Sequence, residues 1–255
     1  MNLIDTHAHI YQEDFQIDID AVIARAKENG VSKIYLPNVD VPSIAELKAL
    51  VQKDPQLFIP MMGLHPCYVK EDFEEQLNTI EKELRSGNYV AVGEIGIDLY
   101  WDKSFFAQQQ DAFRRQIKWA LELDLPIVIH ARDSLQEIFA IMDEENRPAL
   151  KGIFHCFSGN VDDARKVIAY GFKIGIGGVV TFKNGGLDKV LKETDIKHLV
   201  IETDAPYLTP VPHRGKRNES SYVKLVAIKL AEIYGISLDE VAAITTANAA
   251  EVFKF

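Results

Sequence analysis

Eight short apolar runs, each followed by a longer amphipathic stretch, constrain this chain more than any other feature. The runs occupy residues 3–7, 33–37, 57–62, 89–94, 126–130, 152–155, 172–176 and 198–203. They recur roughly every 28 residues, room for one strand–helix unit each. Bounded by Gly, Pro and polar residues, they fit parallel strands buried on both faces. Helices fill the intervals. Ile19, Val22, Ile23 and Ala26 share one helical face, with Gly30 at the position of a C-terminal cap. Asn160 can cap a helix carrying Ala164, Val167 and Ile168, closed by Gly171. Segments 104–123, 218–234 and 238–247 read as longer helices, and Ser237-Leu238-Asp239-Glu240 opens the last as a capping box. This pattern predicts an α/β fold, a single (β/α)8 TIM barrel spanning residues 1–255 as one domain. A doubly wound open sheet shares the periodicity and stands as the alternative. The length of 255 residues suits the barrel, and no linker interrupts the series.

Composition narrows the class of function. Lys and Arg total 28 against 38 Asp and Glu, a formal charge of −10. Such a chain is a poor candidate for coating duplex DNA by bulk electrostatics, although a local cationic patch or a metal can still meet phosphate. Cys67 and Cys156 are far apart and form no CxxC pair, so both are expected as reduced thiols in a cytoplasmic protein. Neither a signal-like N-terminus nor an apolar run long enough for a membrane helix is visible.

The histidines carry the functional signal. Of the seven, His7, His9, His65, His130 and His155 fall at or just beyond the C-terminal end of a predicted strand, while His198 and His213 do not. In a barrel those ends open on one rim, where active sites are built. His7 and His9 are two apart in extended chain and so address one point. Glu94 follows an apolar run and requires a partner, a metal or an Arg or Lys. His130 and His155 end successive strands, where a lone histidine would ordinarily be a hydrogen-bonded core residue. Glu202 and Asp204 share a face after the eighth strand, Asp204 being nearer the rim. Six groups, His7, His9, Glu94, His130, His155 and Asp204, thus converge from five strands. Mixed imidazole and carboxylate donors suit Zn, Mn or Fe. Six exceed what one tetrahedral ion takes, so two divalent ions bridged by Glu94 are expected.

These residues resemble the TatD family of metal-dependent deoxyribonucleases, within the amidohydrolase-like barrels. The resemblance is carried by Asp5-Thr6-His7-Ala8-His9, Gly63-Leu64-His65-Pro66, Gly93-Glu94-Ile95-Gly96-Ile97-Asp98 and Ile129-His130-Ala131-Arg132-Asp133. His155-Cys156-Phe157-Ser158-Gly159, Glu202-Thr203-Asp204-Ala205-Pro206-Tyr207-Leu208, Pro212-His213-Arg214-Gly215-Lys216-Arg217-Asn218 and Asn248-Ala249 continue it. It implies that His7, His9, Glu94 and Asp204 hold one metal, and Glu94, His130 and His155 a second, with Mg, Mn or Zn as candidates. It also implies hydrolysis of DNA from the 3′ end, single-stranded DNA or 3′ ends being the partner, and a connection to DNA repair or degradation. No obligate protein partner is evident.

Asp204 is the expected general base, with Glu94 as the other catalytic group. His65 is expected to contact phosphate or the leaving group. Arg132 could grip a phosphate in a bidentate manner or pair with a rim acid such as Asp133. His213 and Arg214, with Lys216 and Arg217, concentrate positive charge after the eighth strand, where barrels often hold phosphate. Tyr100, Trp101, Phe157 and Tyr207 lie near the rim and could stack bases, whereas Trp119 reads as core. Rival readings are a small-molecule amidohydrolase or lactonase on the same barrel, ester hydrolysis on tRNA, and a metal-binding scaffold without activity. The first often carries a lysine as metal bridge, where this chain has Glu94.

Overall fold

Each predicted apolar run becomes a parallel strand. The computed structural model describes residues 1–183 and 185–254. Its strands are β1 (Leu3–Asp5), β2 (Val31–Pro37), β3 (Phe58–Met61), β4 (Val92–Asp98), β5 (Ile127–Arg132), β6 (Gly152–Phe154), β7 (Lys173–Ile176) and β8 (Leu199–Ile201). Hydrogen bonding orders them as β1-β2-β3 and β4-β5-β6-β7-β8, with every pair parallel. The two arcs meet at both seams through single bridges, Met62 with Val92 and Ala8 with Ala205. Gly93 N–H donates to Met62 O at 3.0 Å, Asp204 N–H to His7 O at 2.9 Å and His9 N–H to Ala205 O at 2.7 Å. The ring is therefore tied on both sides, and the barrel, not the open sheet, is the architecture.

The helices are α1 (Ile19–Glu28), α2 (Ile44–Lys53), α3 (Phe73–Ser86), α4 (Phe106–Leu123), α5 (Leu135–Glu145), α6 (Val161–Ala169), α7 (Leu187–Lys192), α8 (Val223–Tyr234) and α9 (Leu238–Phe253). The expected capping box of Ser237 with Glu240 forms, and the expected Asn160 cap forms as part of a full box with Asp163. Each satisfies backbone donors that a helix start leaves unpaired. Gly30 takes φ +85°, the left-handed conformation a helix terminus favours.

Two apolar layers hold the barrel. Ile4, Tyr35, Met61, Ala91, Val128, Ile153 and Val200 fill its interior, and Ala249, Val252 and Phe253 of α9 complete that cluster. Phe253 stacks on Tyr35 with ring centroids 4.0 Å apart. Asn248 Nδ2 donates to Ile196 O and Leu199 O, and Thr246 Oγ1 to Asn2 O, so α9 covers the end of the barrel where β1 and β8 begin. The larger layer lies between strands and helices. With the floor filled by side chains, the strand ends at the opposite rim are left to build the site.

Several boundaries depart from expectation, and one matters for function. β4 runs on to Asp98, so Glu94 lies within the strand, below the rim, and Asp98 takes the rim position. β5 likewise continues past His130 to Arg132. The helix expected from residue 218 starts at Val223 after a 3-10 turn, because Asn218 is committed to capping Thr203 O and Tyr207 O. α9 extends to Phe253, beyond the expected 247, because its last turn supplies the barrel floor.

Candidate metal centre

The strand ends bring His7, His9, His65, Glu94, His130, His155 and Asp204 to one buried point. His7 and His9 leave β1 in extended chain, and their Nε2 atoms stand 3.1 Å apart. Glu94 reaches both sides of the cluster. Its Oε2 lies 3.0 Å from His7 Nε2 and 3.4 Å from His9 Nε2. Its Oε1 lies 2.9 Å from His130 Nδ1, 3.4 Å from His65 Nε2 and 3.7 Å from His155 Nε2. Asp204 Oδ1 sits 3.6 Å from His9 Nε2, 3.8 Å from His155 Nε2 and 3.9 Å from His7 Nε2.

Those spacings test whether a metal fits. Bonds of about 2.0–2.1 Å place two donors of one ion about 2.9 Å apart in an octahedron and about 3.4 Å apart in a tetrahedron. The shortest contacts on each side of Glu94 fall in that range. Four donor groups lie close enough among the described residues: His7 with His9 and Glu94, His65 with Glu94 and His130, His7 with His155 and Asp204, and His155 with Cys156 and Glu202. Imidazole nitrogens aimed at carboxylates with no Lys or Arg among them suit divalent cations. Glu94 finds no ion-pair partner of the Arg or Lys kind among the described residues.

His65 belongs to this donor set, deeper than the phosphate-contact position expected for it. Its Nε2 is 3.2 Å from His130 Nδ1, and its Nδ1 accepts from Cys67 N–H at 3.1 Å. The Pro66 turn that follows holds the ring in place.

Three groups support the cluster from behind its ligands; of these Glu202 was already a candidate in sequence, and Tyr11 was not. Asp98 Oδ2 lies 2.9 Å from His130 Nε2, which turns Nδ1 inward. Glu202, fully buried, places Oε1 2.9 Å from His155 Nδ1 and accepts from Cys156 N–H at 2.5 Å. Tyr11 Oη is 3.3 Å from His9 Nδ1 and donates to Pro37 O at 2.7 Å. Such partners orient imidazole ligands and raise their basicity. Glu202 thus serves behind His155, while Asp204, nearer the rim, faces the cluster. Gly175 makes this possible, since a Cβ there would lie 2.4 Å from Glu202 Oε2. Asp98 did carry one signal, its even spacing from Glu94 along the strand.

Burial opposes charge on every one of these groups, and their mutual attraction overturns it for most. Glu94 is held well below the carboxylate range by His7, His65 and His155 despite its burial. Asp204 is lowered by His155 and His9, and Asp98 by His130, again against burial. His9 is raised to about 9, burial being outweighed by Asp204 and Glu94. His155 is raised to about 10, with Glu202 and Glu94 outweighing burial. Burial prevails at His7, helped by His155, and at His65, so both are lowered. The site is an array of ionised carboxylates facing imidazoles for whose nitrogens a proton and a bound cation compete.

A cavity of about 710 Å³ opens above the cluster, lined in part by Gln12, Tyr68, Trp101, Arg132, Tyr207 and Leu208. Arg132 has no ion pair with Asp133 or any other acid among the described residues; its guanidinium lies 3.8 Å from the Tyr100 ring centroid. His213 and Arg214 do not line this cavity. His213 stacks on Tyr222 at 4.4 Å, and Arg214 lies over Phe182 at 3.7 Å. Arg217 is bound to Asp18 at 2.7 Å. The rim loops are conformationally strained: Asp133, Cys156, Asp204 and Leu208 all have φ between +46° and +57°. Phe157, just past His155, is buried and so presents no open face for stacking, and Trp119 is buried as expected. Cys67 and Cys156 are unpaired. No helix among the described residues is long and apolar enough to cross a membrane.

Comparison with known proteins matches this chain to a family described as TatD related DNase over residues 4–254. It is 42% identical over 253 residues to the uncharacterized metal-dependent hydrolase YabD of Bacillus subtilis (strain 168), covering 99% of both chains. It is 33% identical over 259 residues to the uncharacterized metal-dependent hydrolase YcfH of Escherichia coli (strain K12), covering 99% of this chain and 96% of the relative. The crystal structure of YjjV, a TatD homologue from Escherichia coli K12, matches with a TM-score of 0.92 at 30% identity, covering 99% of this chain and 98% of that one.

Proposed function

This chain belongs to the TatD-related DNase family of metal-dependent hydrolases, and from that premise we propose that it hydrolyses phosphodiester bonds at the ends of DNA strands. The observation that carries the reading is Glu94, whose two oxygens face separate imidazole groups beneath a cavity with Arg132 in its wall. On this reading His7, His9, Glu94 and Asp204 would hold one divalent ion, and Glu94, His130 and His155 would hold a second, with His65 beside it. Such ions acidify bound water and stabilise the charge that develops on phosphoryl oxygens.

The chain's own groups do the rest. Asp204, ionised and at the cavity floor, accepts the proton of the attacking water. Arg132 offers the edge of its guanidinium to a phosphate, since its face is occupied by Tyr100. Asp98 and Glu202 keep His130 and His155 in their working orientation.

A carboxylate at the bridging position and an arginine in the wall favour phosphodiesters over small amides or lactones. The test is incubation of protein loaded with Mg, Mn, Co or Zn with end-labelled single-stranded DNA, alongside the Glu94→Ala variant. Metal-dependent release of nucleotides that disappears in the variant is expected. Turnover of a lactone or amide with no nucleotide release would overturn the substrate assignment, and full activity in Glu94→Ala the bridging role.

A further inference from the structure

Above the metal centre, the loop after β4 and the end of β5 build a second feature. Tyr100 and Trp101 follow β4, and both rings are largely exposed, Trp101 at 69%. They pack edge to face, with centroids 4.9 Å apart and planes at 88°. Exposure of so large an apolar ring requires a reason when its neighbour is an unpaired cation. The Arg132 guanidinium sits 3.8 Å from the Tyr100 ring centroid and 5.4 Å from that of Trp101. Arg132 and Trp101 line the cavity; Tyr100 does not, and so backs the guanidinium from outside.

The position of this cluster relative to the metal centre is fixed by one side chain. Asp98 Oδ1 accepts the backbone N–H of Tyr100 at 3.0 Å and of Trp101 at 3.1 Å. Its Oδ2 faces His130 Nε2 at 2.9 Å. Asp98 pairs with Arg132 in the strand register, and Leu99 N–H donates to Arg132 O at 2.9 Å. Aromatic ring, cation and candidate metal ligand are thus held by a single buried carboxylate and one rung of sheet.

We propose that Trp101 and Arg132, backed by Tyr100, form a subsite that receives one unstacked nucleobase on the Trp101 ring and its neighbouring phosphate on Arg132. This rests on the reading of the cavity as a nuclease site, and it names what selects the strand: bases must be free to leave a duplex stack before they meet Trp101. An aromatic platform is tolerant of base identity, because every base presents a π-face. Arg132, with its face already held by Tyr100, loses little freedom in binding phosphate.

The experiment separates this proposal from the activity. Trp119 is buried, so the emission of Trp101 is isolated by subtracting a Trp101→Phe variant. Titration of the purified protein in chelator with a short oligothymidylate is expected to quench that emission. An oligomer with abasic residues at the 3′ end should not quench it at the same concentrations. In metal-loaded assays, Trp101→Ala should raise KM about fivefold or more for ordinary DNA. Trp101→Phe should largely restore KM, and Trp101→Ala should have no further effect on the abasic substrate. Cleavage with unchanged KM in Trp101→Ala, or equal quenching by normal and abasic oligomers, overturns the subsite and leaves the nuclease reading intact. Absence of cleavage by the wild-type protein overturns the nuclease reading, and base-dependent quenching then still supports the subsite.

Discussion

Gly175→Ala is a substitution of one methyl group, remote from every proposed metal ligand in sequence, and it should weaken metal binding. Built at Gly175, a Cβ stands 2.4 Å from Glu202 Oε2 and 2.9 Å from its Cδ. Non-bonded contact calls for about 3.5 Å, so the carboxylate must retreat by roughly 1 Å. That motion lengthens the 2.9 Å ion-pair approach to His155 Nδ1 and carries the 2.5 Å bond from Cys156 N–H to about 3.5 Å, the edge of hydrogen-bonding distance. Loss of a group that orients an imidazole ligand typically costs about 10- to 100-fold in metal affinity, or about 1.4–2.7 kcal/mol. Overpacking a filled barrel costs a further ~1–3 kcal/mol of stability, visible with or without metal. Competition against a chromophoric chelator measures the first effect, and thermal unfolding in chelator the second. Gly177→Ala is the control, since a Cβ there meets Glu202 at an ordinary 3.8 Å. Glu202→Gln combined with Gly175→Ala should lose less than the sum of the two single variants, because both act through one contact. Wild-type metal affinity in Gly175→Ala, or an equal loss in Gly177→Ala, would refute this account of Glu202.

Three further outcomes are expected. Glu94→Ala should lower kcat by about 10²–10³-fold or more and reduce metal stoichiometry measured by elemental analysis, since the group of His7 and His9 and the group of His65 and His130 both include this side chain. In the metal-free protein His9 and His155 are raised to about 9 and 10 by carboxylates that overcome their burial. A raised histidine stabilises the fold fully below its unfolded pKa of about 6.5 and loses that contribution as pH climbs through 9 to 10. Metal-free protein should accordingly show Tm declining over that window, while metal binding at pH 7 should release protons and weaken as pH falls, which calorimetry in buffers of different ionisation enthalpy detects. Arg217→Ala should lower stability by ~1 kcal/mol or less and leave KM unchanged, because Arg217 ties the β8–α8 loop to Asp18 and α1 and does not line the cavity.

The parts of this molecule legible in sequence are those in which a residue's role follows from its position along one strand. Apolar runs at barrel spacing gave the strands, and imidazoles at their ends gave the cluster, because in this fold strand ends and the site are the same place. What stayed hidden depends on which strands are neighbours and how far each one runs. Asp98 acts because β4 continues four residues beyond Glu94 and sits beside β5; neither fact is written in residue type. Glu202 and Asp204 share a face in sequence, yet the first turns to His155 and the second to the open cavity. Their separation follows from the left-handed backbone at Asp204, with φ +57°, and the room left by Gly175. His213 and Arg214 illustrate the converse. Clustered charge in sequence suggested a phosphate site, but their rings and guanidinium are already stacked on Tyr222 and Phe182.

The distribution of cations bears on how an acidic protein could meet DNA at all. Arg25, Arg85, Arg114, Arg115, Arg165 and Arg217 are all paired with carboxylates. Arg132 is the cationic side chain lining the cavity, and it has no acidic partner among the described residues. With a formal charge of −10 over the whole chain and one arginine in the cavity wall, attraction of a strand has to be local, confined to the cavity. Each phosphate neutralised on a single strand contributes about −0.7 to the slope of log affinity against log salt. One or two such contacts give a slope of about −1, whereas a protein tracking along the backbone with six or more gives about −4 or steeper. Measuring KM for single-stranded DNA between low and physiological salt, at saturating metal, distinguishes these. A slope near −1 that vanishes in Arg132→Ala supports capture of a strand end by the cavity alone. A steep slope that survives Arg132→Ala would place the contacts elsewhere on the surface and refute it.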